Sequence, residues 1–187
     1  MTFILEHLSQ FNGICFLDRD GTINVNTGYA HRCDELELLP NAAAGIRLLN
    51  DNRIAVVVVT NQSGVGRGFF EEADVNRFHQ CLQADLFQQS AHIDAWRYCP
   101  HHPDDGCPCR KPATGMIDDL LCLGFEHMFF VGDSLSDMHC AENAGLTAIA
   151  IANTAAERYK AAIPVNDLLE AAQFILQHSS LSQEATP

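Results

Sequence analysis

The chain has 187 residues, 47% of them apolar, and its 24 acidic against 11 basic side chains give a formal net charge of −13. A domain of this length buries enough surface to hold a core without disulfides, and the apolar content is that of a globular protein. The acidic balance argues against a broad contact with nucleic acid or an anionic membrane, because both need clustered positive charge. A small phosphorylated substrate remains compatible with this charge when a metal ion and a few local cations offset the repulsion.

The sequence contains no segment typical of membrane insertion or export. Its longest strongly apolar run, residues 54–59, is far shorter than the roughly 20 residues that span a bilayer. Residues 1–10 have no basic region, and Glu6 interrupts their apolar side chains, which is unlike a signal peptide. We therefore expect a cytoplasmic protein that binds neither nucleic acid nor membrane, and its compact length suits a monomer.

Short apolar runs alternate with helix-type patterns along the chain. The pattern predicts strands at 13–18, 54–59, 95–98, 127–131 and 147–151. It predicts helices at 41–52, 71–91, 115–123, 135–143 and 167–178, with Asn41 as an N-cap and Gly145 as a C-terminal cap. Loops are expected at 21–40, 60–68 and 99–112, and a loose tail at 179–187. Because the run at 54–59 lacks polar alternation, we expect one α/β domain over residues 1–187 with a mostly parallel sheet.

Polar side chains stand where three of the predicted strands end. Asp18 closes the first strand and Asp20 follows it, Thr60 comes after the second strand, and Asp133 comes after the fourth. Parallel strands bring such groups to one edge of the sheet, where ligands bind in open α/β proteins. Taken alone, an Asp-x-Asp after a strand is more simply explained by a solvated loop or a helix N-cap. The further presence of Lys111 and of two other polar strand ends favours a functional site.

These residue types suit phosphoryl transfer. Two carboxylates as close as Asp18 and Asp20 resist joint ionisation unless a cation lies between them, and Mg²⁺ accepts carboxylates together with phosphate oxygens. Asp133 can supply a further carboxylate. One aspartate can attack a phosphoryl group while the other handles protons, and Thr60 can hold the phosphoryl oxygens. Lys111 can neutralise the charge that builds there.

Three of the eight cysteines lie beside histidines between positions 99 and 109. The pattern Cys-x-His-x5-Cys-x-Cys offers three thiolates and one imidazole, which suits a closed, structural zinc site formed by Cys99, His101, Cys107 and Cys109. A disulfide or free thiols are the alternatives, and the adjacent His102 is a fifth candidate ligand. The five other cysteines are expected to be small core or surface residues. Bound zinc would fix the direction of Lys111, two residues further on.

In sum, four motifs in order resemble those of the haloacid dehalogenase superfamily of phosphohydrolases. Residues 16–22 match the first motif, DxDGT; residues 58–61 match an apolar strand ending in Thr; Lys111 matches the third motif; and residues 132–137 match GDxxxD. The resemblance implies that Asp18 is a nucleophile that forms an aspartyl-phosphate and that Asp20 is the general acid and then the base. It implies Mg²⁺ bound by the Asp18 carboxylate, the Asp20 backbone carbonyl and Asp133. It also implies that Asp137 orders the site, by pairing with Lys111.

The predicted zinc-binding loop, residues 99–109, shows which group within the superfamily the chain resembles. The pattern CPH…CxCRKP is similar to that of the compact heptose bisphosphate and histidinol-phosphate phosphatases, which implies a Rossmann-like, doubly wound domain without a large cap. Residues 28–31 and 60–68 look more like the heptose enzymes, which remove the 7-phosphate of D-glycero-D-manno-heptose 1,7-bisphosphate on the way to nucleotide-heptose for lipopolysaccharide or surface glycans. The substrate-binding residues implied by this resemblance are Asn26, Thr27, Gly28, Tyr29, Asn61, Gln62, Ser63, Arg110 and Ser134.

Two positions depart from the heptose pattern, and two other functions remain open. Ser134 stands where these enzymes often have a basic residue, and Asn26 stands where an acidic residue is common. The first alternative is the same chemistry on histidinol phosphate in histidine biosynthesis. The second is a zinc-stabilised binding protein that has lost catalysis, although every residue the chemistry needs is present.

Overall fold

Six strands form one all-parallel sheet in the computed structural model, which describes residues 2–152 and 154–179. The strands are β1 (Gly13–Leu17), β2 (Ile54–Asn61), β3 (Ala95–Cys99), β4 (Met128–Gly132), β5 (Thr147–Ile151) and β6 (Ile163–Val165). The helices are α1 (Thr2–Leu8), α2 (Ala42–Asp51), α3 (Ser63–Gly66), α4 (Glu72–Gln88), α5 (Asp118–Leu121), α6 (Leu135–Asn143) and α7 (Leu168–Ser179). None of these helices is long and apolar enough to cross a bilayer. Apart from Ser179, the predicted tail lies outside the described residues.

Helices cover both faces of the sheet, which is why the central strands lack polar alternation. Residues 54–59 of β2 are all buried, with Val56 and Val58 in the core on one face and Val57 and Val59 in the core on the other. The first core receives apolar side chains from α2, α4 and α7, and the second receives them from α1, α5 and α6. The predicted single α/β domain with a doubly wound sheet is therefore confirmed.

The chain reverses direction across the sheet at β1, and this reversal positions the site. The strand order is β3-β2-β1-β4-β5-β6, so the chain leaves β1 for one side and returns to β4 on the other. Leu17 pairs with Val131, and the Asp18 amide donates to the Val131 carbonyl at 3.0 Å. Asp18 and Asp133 therefore leave neighbouring strands side by side, at the switch point where α/β sheets bind ligands.

Several predicted elements differ in extent from the observed ones. The helix expected at 115–123 is the short α5, and the glycine-rich loop at 60–68 contains the short helix α3. Two elements were not predicted at all: α1, and the three-residue β6, whose central Pro164 gives no strand signal. Asn41 occupies the N-cap position of α2, but its side chain does not cap the helix. It donates instead to Asp167 Oδ2 at 2.7 Å.

Cys33 and Cys81 form a disulfide, so the expectation for the five scattered cysteines was wrong for these two. Their Cα atoms lie 5.8 Å apart although 48 positions separate them in the chain. The bond joins a 3₁₀ turn at Cys33–Glu35 to helix α4. Nothing in the local pattern around either cysteine signals a partner so distant, so only the fold reveals the pair.

Candidate active site

A cavity of about 230 Å³ opens at the carboxyl edge of the sheet. It is lined by Asp18, Asp20, Asn26, Gly28, Thr60, Asn61, Arg110, Lys111, Asp133, Ser134 and Ser136. All but Ser136 of these residues are candidates from the sequence. The convergence expected from the strand ends is thus present in the fold.

Lys111 lies at the centre of the buried charges. Its Nζ donates to Asp18 Oδ1 at 2.8 Å and to the Val59 carbonyl at 2.6 Å, and it lies 2.6 Å from Asp137 Oδ1. Burial alone would lower the Lys111 pKa, but the carboxylates of Asp137 and Asp18 raise it above its usual value. The lysine is therefore held as a cation, and the predicted pairing of Asp137 with Lys111 is observed.

Three carboxylates face this single ammonium group. Oxygen atoms of Asp18, Asp133 and Asp137 lie within 4.8 Å of one another. Burial and the neighbouring Asp137 raise the Asp18 pKa to about 8, and the same two causes raise the Asp133 pKa to about 6. A cluster of oxygen ligands with too little positive charge is a donor set that fits Mg²⁺.

Gly21 makes room for this cluster. It has a φ of +87°, and a Cβ at this position would overlap the Asp133 carboxylate. The glycine of the DxDGT motif is therefore required by the close approach of β1 and β4 at their ends.

The Asp20 carboxylate is held by three side chains outside the Asp18, Asp133 and Asp137 cluster. Arg19 Nη2 donates to Oδ2 at 2.8 Å and to Oδ1 at 3.0 Å, and Asn24 Nδ2 donates to Oδ1 at 2.8 Å. Gln62 Nε2 donates to Asp20 Oδ2 and to Thr60 Oγ1, both at 3.0 Å. Gln62 thus contacts two catalytic candidates and does not line the cavity. Sequence reasoning missed Arg19 and Asn24; the one available signal was a cation between two aspartates.

Asn61 and Ser134 line the cavity and also maintain its shape. Asn61 Oδ1 accepts from the Lys111 amide at 3.0 Å, and its Nδ2 donates to the Lys111 carbonyl at 3.1 Å. Ser134 caps α6 in a capping box with Asp137, and its Oγ donates to Asp137 Oδ2 at 2.6 Å. Both side chains therefore orient the charged groups behind the cavity.

Among the other predicted substrate-binding residues, some line the cavity and others do not. Asn26 Oδ1 accepts from the Gly28 amide at 2.9 Å, which shapes the loop against the cavity. Thr27, Tyr29 and Ser63 do not line it, and the exposed Tyr29 instead stacks edge-on against Phe69, with ring centroids 5.0 Å apart.

Arg110 also lines the cavity. Within the described residues its buried Nη1 has no hydrogen-bond partner. Arg110 therefore brings a guanidinium group to the cavity wall, and the fork of donors on such a group suits a ligand anion.

The four predicted zinc ligands lie together. Cys99 Sγ is 3.5 Å from Cys107 Sγ, 3.3 Å from Cys109 Sγ and 3.5 Å from His101 Nδ1, and His101 Nδ1 is 3.1 Å from Cys109 Sγ. Zinc–sulfur bonds of about 2.3 Å in a tetrahedron need sulfur atoms roughly 3.8 Å apart. The cluster could therefore hold zinc after small adjustments. His102 takes another role, because its Nδ1 accepts from the Asp104 amide at 3.2 Å.

The Cys99–Cys109 loop is joined to the chain after β2. The Gln62 amide donates to the Cys99 carbonyl and the Gly66 amide to the Pro100 carbonyl, both at 2.8 Å. A Cβ at Gly66 would overlap the His102 backbone, so the two segments touch. The Cys99–Cys109 loop therefore packs directly against Gln62, whose side chain holds Asp20.

Comparisons with known proteins identify relatives of this chain. The HAD-hydrolase-like family model matches residues 108–171. The D-glycero-beta-D-manno-heptose-1,7-bisphosphate 7-phosphatase of Rhodopseudomonas palustris is 43% identical over 141 residues, which are 70% of this chain and 78% of the relative. The Escherichia coli K12 protein of that name is 40% identical over 136 residues, 67% of this chain and 71% of the relative.

A solved structure agrees with these relatives. The D,D-heptose 1,7-bisphosphate phosphatase of B. bronchiseptica, complexed with magnesium and phosphate, superposes with a TM-score of 0.82 at 33% identity, covering 89% of this chain and 99% of that one. Relatives of this identity and coverage share a fold and a class of chemistry. The chain therefore belongs to the heptose-1,7-bisphosphate 7-phosphatase family of HAD-like phosphoric monoester hydrolases.

Proposed function

We propose that this protein hydrolyses the 7-phosphate of D-glycero-D-manno-heptose 1,7-bisphosphate, in the synthesis of nucleotide-heptose for lipopolysaccharide or other surface glycans. The observation that carries the proposal is one cavity in which Asp18, Asp20, Thr60, Lys111 and Asp133 converge. Relatives that are 40–43% identical bear the name of this activity, which supports the choice of substrate.

The first chemical step forms a covalent bond to the protein. A carboxylate oxygen of Asp18 attacks the phosphorus of the 7-phosphate, and the bond from phosphorus to the sugar oxygen breaks as Asp20 donates a proton to that oxygen. Lys111 orients the Asp18 carboxylate through its contact with Oδ1 and neutralises charge on the transferring group. Thr60 holds a phosphoryl oxygen.

The second step releases phosphate. Asp20, now a carboxylate, takes a proton from a water molecule that attacks the phosphorus, and the bond from phosphorus to Asp18 breaks. Asp18 is regenerated as a carboxylate, and inorganic phosphate leaves. The Asp18 carboxylate, the Asp20 backbone carbonyl and Asp133 would hold Mg²⁺, which supplies positive charge that draws the phosphate group to this acidic site.

The remaining cavity residues would bind the rest of the substrate. Arg110 is the candidate for the second phosphate, because it lines the cavity and a guanidinium can bind phosphate through two bonds. Asn26, Gly28, Asn61 and Ser134 would contact the sugar. Thr27, Tyr29, Gln62 and Ser63 would act from the rim or from behind these residues.

We also propose that the protein is a single-domain monomer in the cytoplasm, with a small sugar phosphate as its only partner. The cytoplasmic assignment rests on the proposed place in nucleotide-sugar synthesis. The Cys33–Cys81 disulfide opposes it, since disulfides are rare in reducing compartments. Sedimentation tests the monomer, and a count of free thiols tests the disulfide.

The deciding experiment measures phosphate release, with Mg²⁺, from heptose 1,7-bisphosphate and from histidinol phosphate side by side. We expect a strong preference for the heptose. A preference for histidinol phosphate would overturn the substrate and leave the chemistry in place. No release from either would support a binding protein that has lost catalysis.

Asp18→Asn is the matched inactive variant. Because the amide cannot act as the nucleophile, turnover should fall by roughly 10⁴-fold or more, while circular dichroism and zinc content stay those of the native protein. Near-native turnover would contradict the assignment of Asp18.

A further inference from the structure

We propose that Arg19 is a positioning residue that holds Asp20 in the orientation from which it gives a proton to the leaving group. The inference rests on the proposed phosphatase mechanism and adds to it the residue that sets the efficiency of acid catalysis.

Arg19 is fully buried and forms a paired contact with Asp20. Its Nε lies 3.1 Å and its Nη2 3.0 Å from Asp20 Oδ1, and Nη2 lies 2.8 Å from Oδ2. A guanidinium that binds a carboxylate through two nitrogen atoms fixes the plane of that carboxylate as well as its distance. The Asp20 carboxylate is one-fifth exposed and lines the cavity, so the orientation that Arg19 sets is the one that a substrate meets.

Two further contacts hold Arg19 itself in place. Nη2 donates to the Ala30 carbonyl at 2.8 Å, and the guanidinium carbon lies 4.4 Å from the centre of the Phe78 ring. Phe78 belongs to α4, and Ala30 follows the loop that carries Gly28. The arginine therefore ties Asp20 to two parts of the scaffold, and it packs on an aromatic face as guanidinium groups favour.

Arg19 cannot act on the substrate directly. Its side chain has no exposed surface, and it is absent from the cavity wall. Its effect on the proton transfer therefore passes through Asp20, the cavity residue that the Arg19 side chain contacts. A purely structural role would weaken the whole fold and would affect all substrates alike.

The leaving group separates these two roles. A sugar alkoxide is a poor leaving group and needs a proton as the bond to phosphorus breaks, whereas p-nitrophenolate leaves without one. The ratio kcat/KM reports the steps up to the first irreversible one, which is transfer of the phosphoryl group to Asp18. A misplaced Asp20 should therefore lower kcat/KM for a sugar phosphate far more than for p-nitrophenyl phosphate.

The test compares Arg19→Gln with the native protein on heptose 1,7-bisphosphate and p-nitrophenyl phosphate. We expect kcat/KM to fall by roughly 10²-fold on the sugar phosphate and by less than about tenfold on the aryl phosphate. Arg19→Lys keeps the positive charge but loses the second contact with Asp20. Its kcat/KM on the sugar phosphate should lie between those of the native protein and Arg19→Gln. Arg97→Gln is the matched control, because it removes a half-buried arginine that pairs with Asp119 at 3.0 Å away from the cavity. This control should have the kcat/KM of the native protein on both substrates.

A double variant makes the test decisive. If Arg19 acts through Asp20, then Arg19→Gln should lower kcat/KM no further in an Asp20→Asn background. Equal losses on both substrates, or additive losses in the double variant, would overturn the proposal. If Arg19→Gln does not fold, Phe78→Leu removes the ring beneath the guanidinium and keeps Arg19. This variant should also lower kcat/KM more on the sugar phosphate than on the aryl phosphate, by a smaller factor.

Failure of the proposed function is a separate outcome. It would show as absence of heptose bisphosphate turnover by the native protein, and the comparison would then use whichever alkyl phosphate the native protein cleaves. The split between alkyl and aryl phosphates would remain the result that decides the role of Arg19.

Discussion

At the scale of single residues, the buried lysine explains how two of the carboxylates, those of Asp18 and Asp137, can lie side by side in the interior. Lys111 Nζ contacts Asp18 and Asp137, and all three side chains are almost fully buried. Removing one member of such a group leaves the others buried and uncompensated, which is more costly than the intact group is stabilising. The stability of the fold therefore depends on keeping all three buried charged groups together, and so does the chemistry of the site.

We expect Lys111→Met to lower the free energy of unfolding by about 3 kcal/mol or more, because it leaves Asp137 buried without its cation. Urea unfolding measures this change. Arg77→Gln is the control, since Arg77 pairs with Asp74 at the surface, where the loss should not be measurable. Equal stability of Lys111→Met and native protein would show that the buried aspartates are neutral without the lysine.

The sequence could predict the residues that react with or bind the substrate themselves, but not the contacts by which other residues hold them in place. Asp18 and Asp133 follow strands and Thr60 lies at the end of one, so their convergence follows from a parallel sheet. The contacts of Gln62 with Asp20 and of Asn61 with the Lys111 backbone depend on the packing of loops, which leaves no periodic signal. Their prediction as substrate contacts came from resemblance alone.

At the scale of elements, segments bounded by turn residues were predictable, and those whose ends depend on tertiary contacts were not. The predicted bounds of α6 and β5 match the structure, because each element is bounded by turn residues. The helix expected at 115–123 is only the short α5, and Gly115 lies outside it, where its amide donates to the Pro108 carbonyl at 3.0 Å. A tertiary contact of this kind is invisible to local pattern.

The Cys99–Cys109 loop couples metal binding to the active site. We expect purified protein to carry one zinc per chain, and Cys109→Ser to lose it and to lower kcat, since Lys111 lies two residues away. A misplacement of about 1 Å can cost roughly 10²-fold in rate. Metal analysis and phosphate release measure the two effects on the same samples.

Cys122→Ser is the matched control, because Cys122 is exposed and lies outside the cluster. It should keep both zinc and activity. A Cys109→Ser protein that lost its zinc and kept native kcat would contradict the coupling.

The disulfide fastens the 3₁₀ turn at Cys33–Glu35 to α4 across 48 positions of sequence. Closing a loop of this length restricts the unfolded chain, so Cys33→Ser should lower the free energy of unfolding by about 2–4 kcal/mol in non-reducing buffer. Urea unfolding measures the loss, and reducing agent should bring the native protein to the same value. Unfolding the oxidised protein in chelator should expose six thiols; eight would contradict the bond.

At the scale of the whole molecule, one buried histidine links global stability to pH. His79 on α4 is 5% exposed, stacks on Trp96 with ring centroids 4.3 Å apart, and its Nε2 has no hydrogen-bond partner among the described residues. Burial, and then the nearby Arg19 cation, lower the His79 pKa to about 3. The folded protein therefore keeps this ring neutral while the unfolded chain, with its ordinary value of 6.5, takes up a proton.

This difference fixes the sign of the expected pH dependence. Above pH 6.5 neither state binds the proton, so His79 adds no dependence there; below 6.5 the unfolded state binds more protons and the free energy of unfolding falls. The slope approaches about 1.4 kcal/mol per pH unit, so lowering the pH from about 7.5 to about 5 should cost about 2 kcal/mol through this residue.

His79→Phe keeps a ring against Trp96 and removes the titration. Carboxylates and zinc ligands also respond to acid, so the measured quantity is the loss of unfolding free energy between the two pH values, native minus variant. We expect the variant to lose about 2 kcal/mol less than the native protein. Equal losses in His79→Phe and native protein would show that His79 takes up a proton as readily in the folded protein as in the unfolded chain, which would contradict its burial against Trp96.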